Sequence, residues 1–260
     1  MRQAATVITG ASSGIGAEFA HVFAQEKTNV LVLVARRLDR LEQLAEQLSK
    51  RYGADVRCVD LDLTDMDAAQ HLLDHLDAQG LFVDTLINNA GFGLNGEFAE
   101  QSPLQLQQMM QLNMLTLTTL TRLVVPSMRR SRHGRILNVA SIVAFQPCPR
   151  FAVYAATKAY VLSLSEALHA ELAPQGIHVT ALCPGSTETE FHQVAQNEHA
   201  RLQRIPKDRA VDVAKAAYAA LNRNERTVVT GWINKPIPLR TRLTPKPVLL
   251  WAAARMAQQS

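Results

Sequence analysis

The sequence predicts an α/β protein whose strands form one doubly wound parallel sheet in a single domain. Short β-branched runs alternate with longer segments of helical periodicity. The run Val30–Val34 (VLVLV) is apolar at every position, as suits a strand covered on both faces. No Pro-, Gly- or Ser-rich linker and no internal repeat divides the 260 residues, and a chain of that length buries a sizeable core without metals or disulfides.

The elements follow in order. Ala5–Thr9 is expected as the first strand, Ala17–Gln25 as a helix and Val30–Val34 as the second strand. Leu38–Leu48 repeats leucine at helical spacing, and Asp39 with Glu42 resembles a capping box. Val56–Val59 follows as a strand, Met66–Leu76 as a helix and Asp84–Asn88 as the fourth strand. One long helix is expected from Leu104 to Arg130, then a strand at Arg135–Ala140, a helix at Phe151–Ala173 and a strand at His178–Cys183. A helix after Arg209 and a last strand at Thr227–Val229 complete the sheet. This alternation implies right-handed crossovers. Residues 1–232 are expected to form the one domain, and 233–260 a tail. In the tail Pro236, Pro238, Pro245 and Pro247 precede VLLWAAARMA, a short helix for docking on the body or a sister subunit, with a membrane surface as the alternative.

Composition is that of an ordinary globular protein, 47% hydrophobic and 19% charged. A net charge of +4, scattered along the chain, gives no footprint for nucleic acid. Arg129–His133 reads as a solvated helix end. Cys58, Cys148 and Cys183 are odd in number and lack C-x-x-C spacing, which suggests reduced thiols and no metal site. His71 and His75 stand four apart on a helix but lack a third ligand. The first strand begins within about five residues, which leaves no room for a signal peptide, and no run of ~18 apolar residues exists. A soluble, cytoplasmic protein without a transmembrane segment is expected.

Thr9–Gly16, TGASSGIG, admits two mechanisms. Gly10-Ala11-Ser12-Ser13-Gly14 fits G-x-S-x-G, a nucleophile elbow. Gly10, Gly14 and Gly16 also fit a phosphate-holding turn at a helix N-terminus: the first for the tight turn, the second for close backbone approach, the third for helix packing. An elbow needs a histidine base in a strand-end context, which no later histidine has, and the first strand is the wrong place for one.

Further motifs come in chain order: Asn88-Asn89-Ala90-Gly91, Asn113, Ser141, Tyr154-Ala155-Ala156-Thr157-Lys158 and Pro184-Gly185. With G-x-x-x-G-x-G, this set resembles the short-chain dehydrogenase/reductase family over residues 4–192. The resemblance implies a Rossmann-like fold. It implies that Gly10, Ser12, Ser13, Gly14, Ile15 and Gly16 cradle a pyrophosphate, with no nucleophilic role for the serines. Asp62 and Leu63 would face the adenine, and Asn89, Ala90 and Gly91 would lie beneath the adenosine ribose. Pro184, Gly185, Thr187 and Thr189 would hold the nicotinamide carboxamide, and Tyr154 and Lys158 its ribose.

The end of strand two reads Ala35-Arg36-Arg37, with alanine where an acid would hold a ribose 2′-hydroxyl. Two cations before a helix need an anion or plain solvent, and a 2′-phosphate suits guanidinium. NADP(H) is therefore expected over NAD(H).

For the chemistry, Tyr154 and Lys158 share a helix face at i, i+4. The lysine charge and an oxidised nicotinamide are expected to lower the tyrosine pKa from ~10, so that it can serve as acid and base. By resemblance, Ser141 hydrogen-bonds the substrate oxygen and Asn113 holds a water linking Lys158 to solvent. The expected reaction is reversible hydride transfer between NADP(H) and a ketone or secondary alcohol, of carbonyl, 3-oxoacyl or hydroxysteroid type. A catalytically silent NADP(H)-sensing regulator on the same fold is the alternative from another class. An epimerase or dehydratase would need more than the segment Glu188–Arg209 after strand six. Phe92, Leu94, Ile142, Phe145, Phe151 and Phe191 are candidate pocket walls for an apolar small-molecule substrate. The family often pairs subunits through its fourth and fifth helices, so a homodimer or homotetramer is expected.

Overall fold

The computed structural model describes residues 2–26, 29–190 and 206–257. The strands are β1 (Gln3–Thr9), β2 (Val30–Ala35), β3 (Val56–Asp60), β4 (Leu81–Asn88), β5 (Gly134–Val139), β6 (Ile177–Cys183) and β7 (Thr227–Val229). They pair in parallel in the order β3-β2-β1-β4-β5-β6-β7. The order reverses between β1 and β4, and ligands of open parallel sheets bind at the carboxyl ends of strands flanking such a reversal.

Alternation within each strand feeds two cores. Val7 and Val32 pack with Leu72, Leu86, Leu120 and Val124 on one face. Ile8 and Leu33, one residue along, pack with Phe19, Phe23, Leu41 and Val213 on the other. This explains why VLVLV is apolar throughout: both faces lie under helices. The second face is covered by α1 (Gly14–Phe23), α2 (Leu38–Tyr52) and α7 (Ala210–Asn222); the first by α3 (Ala68–Ala78) and α5 (Leu117–Ser131). The helix α6 (Ala152–Leu172) adjoins β5 and β6.

Three expectations are corrected. The single helix from Leu104 to Arg130 is instead α4 (Pro103–Met110), a π-helical turn (Gln111–Thr116) and α5. In that turn Asn113 bonds Phe92 and Thr157, and the Thr116 hydroxyl donates to Leu63 O at 2.8 Å. Such side-chain bonds favour the wider turn that π-bulges supply at functional sites. The Asp39–Glu42 capping box does not form, because α2 starts at Leu38 with Arg37 as its N-cap, which puts Asp39 inside the first turn. The tail holds two helices, α8 (Ile237–Leu243) and α9 (Lys246–Ala257). Pro236 and Pro238 sit at the start of α8, where a missing N–H is tolerated. Asn234 bridges tail to body: its Nδ2 donates to Thr230 O at 2.9 Å, and its amide lies against Gly185.

At the amino end of the sheet Arg135 reaches Glu26 through two bonds of 2.7 and 2.8 Å, donates to Thr85 Oγ1 at 3.0 Å and covers the Phe23 ring. Burial pushes the Glu26 carboxyl up, but the hydrogen bond and charge of Arg135 outweigh it and hold the pKa below 4.5. A depressed folded-state pKa stabilises above the unfolded value and is lost as pH falls through the folded one. Urea denaturation should therefore show wild-type stability falling below pH 4.5 more steeply than that of Glu26→Gln. Arg135→Met, which strands the carboxylate, should cost about 2 kcal/mol at neutral pH, the low side for a broken buried pair because some water reaches it.

Candidate functional site

At the carboxyl ends of the strands lies a cavity of about 460 Å³, lined from the β1–α1 turn to the start of α6. Gly10, Ser12, Ser13, Gly14, Ile15, Arg36, Arg37, Asp62, Leu63, Asn89, Ala90, Gly91, Ser141, Tyr154, Lys158, Pro184, Gly185, Thr187 and Thr189 all line it. Gly16 and Asn113, expected with them, stand directly behind this lining.

The glycine turn is shaped by contact. Gly10 and Gly14 have φ of +66° and +57°, a region that side chains rarely adopt. A Cβ on Gly10 would come 2.9 Å from Ala90 Cα, and one on Gly16 would collide with Gly10 O. Asn89 braces the turn through Nδ2, which donates to Thr9 O at 2.9 Å and Gly10 O at 3.2 Å. The Thr9 hydroxyl accepts from the Asn89 and Ala90 amides at 3.0 Å each and donates to Ile87 O at 3.2 Å. Helix α1 starts without a side-chain cap or an acidic residue in its first turn. Its leading amides and dipole therefore favour negative charge there. Ser12 and Ser13 accept from the Arg37 guanidinium at 3.1 and 3.0 Å. Guanidinium cannot act as a base, so these serines have no activating partner there.

The β2 end of the cavity is cationic. Arg36 lies 3.6 Å from Asp62, and Arg37 and Arg40 share Glu190. Burial pushes the Asp62 carboxyl up, yet bonds from the Thr64 amide at 2.9 Å and hydroxyl at 2.8 Å, with Arg36, bring it below its ordinary value.

At the other end Ser141 opens a short 3₁₀ turn (Ile142–Phe145), and its Oγ accepts from the Val143 amide at 3.3 Å. Ser141 also hydrogen-bonds the Tyr154 hydroxyl. Lys158 Nζ donates to Val139 O at 2.7 Å and stands 5.8 Å from the Tyr154 ring centroid. Asn113 Nδ2 donates to Phe92 O at 2.9 Å and Thr157 Oγ1 at 3.1 Å, and its Oδ1 accepts from the Phe92 amide. Gly91 separates Asn113 from Lys158: a Cβ there would come 2.9 Å from Asn113 Oδ1 and 3.4 Å from Lys158 Nζ.

Burial dominates the titration of this end. It pushes the Tyr154 phenol above its ordinary value, although the Ser141 bond works the other way. The lowering by Lys158 expected from sequence is thus not found in the protein alone, where the ammonium is turned to Val139 O. Burial brings Lys158 down to about 8.

Of the candidate walls, Phe92, Ile142 and Phe151 line the cavity. Leu94 packs beside Phe151 and Tyr154, and Phe145 packs with Leu117 and Val161, so both are core supports. Phe191 lies outside the described residues. Arg40, Thr64 and Glu190 were not anticipated. Thr64 follows Asp62 by two, the spacing of an Asx turn. Arg40 lies one helical turn beyond Arg37, a legible signal, whereas Glu190 reaches its partners only through the fold. Among the described residues no group of three or more His, Cys, Asp or Glu could hold a metal ion, and no helix is long and apolar enough to cross a membrane.

A lysine brought down to about 8 from 10.5 binds fewer protons in the folded protein than in the unfolded chain between those values. Stability should therefore rise with pH across that window, by up to about 3 kcal/mol, and Lys158→Met should lack the rise. Parallel denaturation curves at pH 7.5 and 10 would show it; equal pH slopes in both proteins would refute it.

The family model for short chain dehydrogenases matches residues 4–200. The mouse (Mus musculus) 17-beta-hydroxysteroid dehydrogenase type 3 is 34% identical over 195 residues, which cover 74% of this chain but only 63% of that protein. A short-chain dehydrogenase from Sphingobium yanoikuyae, solved in complex with NADPH, superposes with a TM-score of 0.81 at 34% identity, over 98% of both chains. The bulky-bulky ketone specific alcohol dehydrogenase from Comamonas testosteroni gives 0.75 at 32% identity, over 87% of this chain and 85% of that one. With the motifs gathered around one crevice and the family match running from β1 through β6, this chain belongs to the short-chain dehydrogenase family of oxidoreductases.

Proposed function

We propose that this protein is an NADP(H)-dependent oxidoreductase that interconverts a ketone and a secondary alcohol, with Tyr154 as the acid and base. The carrying observation is that one crevice joins a Ser141–Tyr154 hydroxyl pair, beside buried Lys158, to a cluster of arginines where β2 ends. The glycine turn leaves no room for side chains against Ala90 and opens a helix whose N-terminus has no side-chain cap, which fits a pyrophosphate. Ala35, where an acid would favour a 2′-hydroxyl, and Arg36 and Arg37 beside it suit a 2′-phosphate. The NADPH held by the Sphingobium yanoikuyae relative supports the same reading.

A nicotinamide held in this crevice would supply or accept the hydride. In reduction the Tyr154 hydroxyl gives its proton to the substrate oxygen as negative charge develops there, while Ser141 Oγ donates a second hydrogen bond to it. Lys158, close to the phenol, favours the phenolate left behind. Asn113 anchors Phe92 and Thr157 and so holds the floor beneath Lys158. Phe92, Ile142 and Phe151 form an apolar wall, which favours a bulky apolar ketone. The names of the ketone-specific and hydroxysteroid relatives point the same way. This complete set argues against a silent sensor, which gains nothing from a proton donor in the crevice.

Two further parts of the reading rest on surface features. Exposed Leu115 and Tyr160, on the π turn and α6, support a homodimer or homotetramer. Three free thiols, two of them buried, suit a reducing, cytoplasmic setting.

NADPH oxidation measured over ketones, aldehydes and acyl thioesters tests the proposal. Tyr154→Phe should lower kcat about a thousandfold on the best substrate while leaving the Kd for NADPH, read by fluorescence titration, within about threefold. Full turnover in that variant would overturn the mechanism.

A further inference from the structure

Glu190 follows β6 by seven residues, yet its carboxylate spans the mouth of the crevice to α2. Oε2 accepts from Arg37 Nη1 at 3.0 Å, and Oε1 from Arg40 Nη1 at 2.6 Å. Arg36, Arg37 and Arg40 thus crowd the start of a helix whose dipole is itself positive there. The first turn of α2 carries one acidic residue, Asp39. The cluster is short of an anion, and the chain supplies one from 150 residues away. The segment bearing Glu190 also lies on the glycine turn, since a Cβ on Gly14 would come 2.9 Å from Thr189 Cγ2.

We infer that Glu190 is an internal substitute for the cofactor's 2′-phosphate, and that Arg40 is a further guanidinium of that phosphate's site, exchanging Glu190 for phosphate when NADP(H) binds. This rests on the NADP(H) reading above. A phosphate monoester carries about −1.5 to −2 charge and three acceptor oxygens, against −1 and two for a carboxylate. Guanidinium groups grouped in this way favour the phosphate. A 2′-hydroxyl brings no charge with which to displace Glu190. Bonds from Arg40 and Arg37 hold the Glu190 carboxyl below its ordinary value, so it competes as a full anion at neutral pH. Glu190 therefore tempers affinity for NADP(H) and leaves affinity for NAD(H) nearly untouched. Its side chain is 41% exposed, so its replacement opens no cavity in the core.

Calorimetric titration of the full chain with 2′,5′-ADP and 5′-AMP tests this, with melting temperatures to verify folding. The wild type should bind 2′,5′-ADP at least about tenfold tighter than 5′-AMP. Arg40→Ala should lose about tenfold in 2′,5′-ADP affinity and nothing in 5′-AMP affinity, with Arg40→Lys recovering part of the loss. Glu190→Gln should gain about threefold for 2′,5′-ADP alone. Unchanged 2′,5′-ADP affinity in Arg40→Ala and Glu190→Gln, or equal losses for both nucleotides, would overturn the inference while the cofactor reading stood. A wild type indifferent to the 2′-phosphate would overturn the cofactor reading itself.

Discussion

The closeness of the β1–α1 turn to the end of β4 is the constraint on which the rest depends. Gly10 and Gly16 leave no space for a Cβ against Ala90, Asn89 and each other. Thr9 and Asn89 tie the two strand ends through both backbone and side chain. Because β1 and β4 carry their helices to opposite faces, the sheet opens at this seam and nowhere else along its carboxyl edge. The crevice, the place of the α1 start on its wall and the position of Gly91 beside Lys158 all follow from that seam.

Along the crevice the electrostatics are divided. The β2 end gathers guanidinium groups half open to water, where an anionic ligand meets little desolvation cost. The other end buries its titratable groups, so that Tyr154 holds its proton and Lys158 sheds its own more readily than in water. Burial alone moves these two toward their neutral forms. A positive charge arriving beside the phenol would oppose the tyrosine's shift. Burial thus keeps the Tyr154 phenol protonated in the protein alone.

Local pattern made some features legible and concealed others. The leucine period of Leu38–Leu48 located α2 because an amphipathic stripe is a property of the segment itself. The capping box failed because where a helix starts depends on what surrounds Arg37, which bonds Ser12, Ser13 and Glu190. The π turn at Gln111–Thr116 left no trace in the periodicity, since its cause is Asn113 reaching Phe92 and Thr157 across the fold. Arg37 contacts both serines of TGASSGIG and offers them no base, an arrangement that no spacing rule contains.

By itself the sequence determined the doubly wound sheet and, through its motifs, many of the residues that meet in the crevice. Strand alternation, glycine spacing and the Tyr154–Lys158 repeat are short-range facts, and the chain's own geometry converts them into positions. Only the tertiary structure decided the charge state of the buried pair, the wider turn that presents Asn113, and the carboxylate of Glu190 lying across Arg37 and Arg40. Each of these depends on desolvation or on partners more than twenty positions apart. Such interactions acquire their strength from the fold that removes water and brings the groups together.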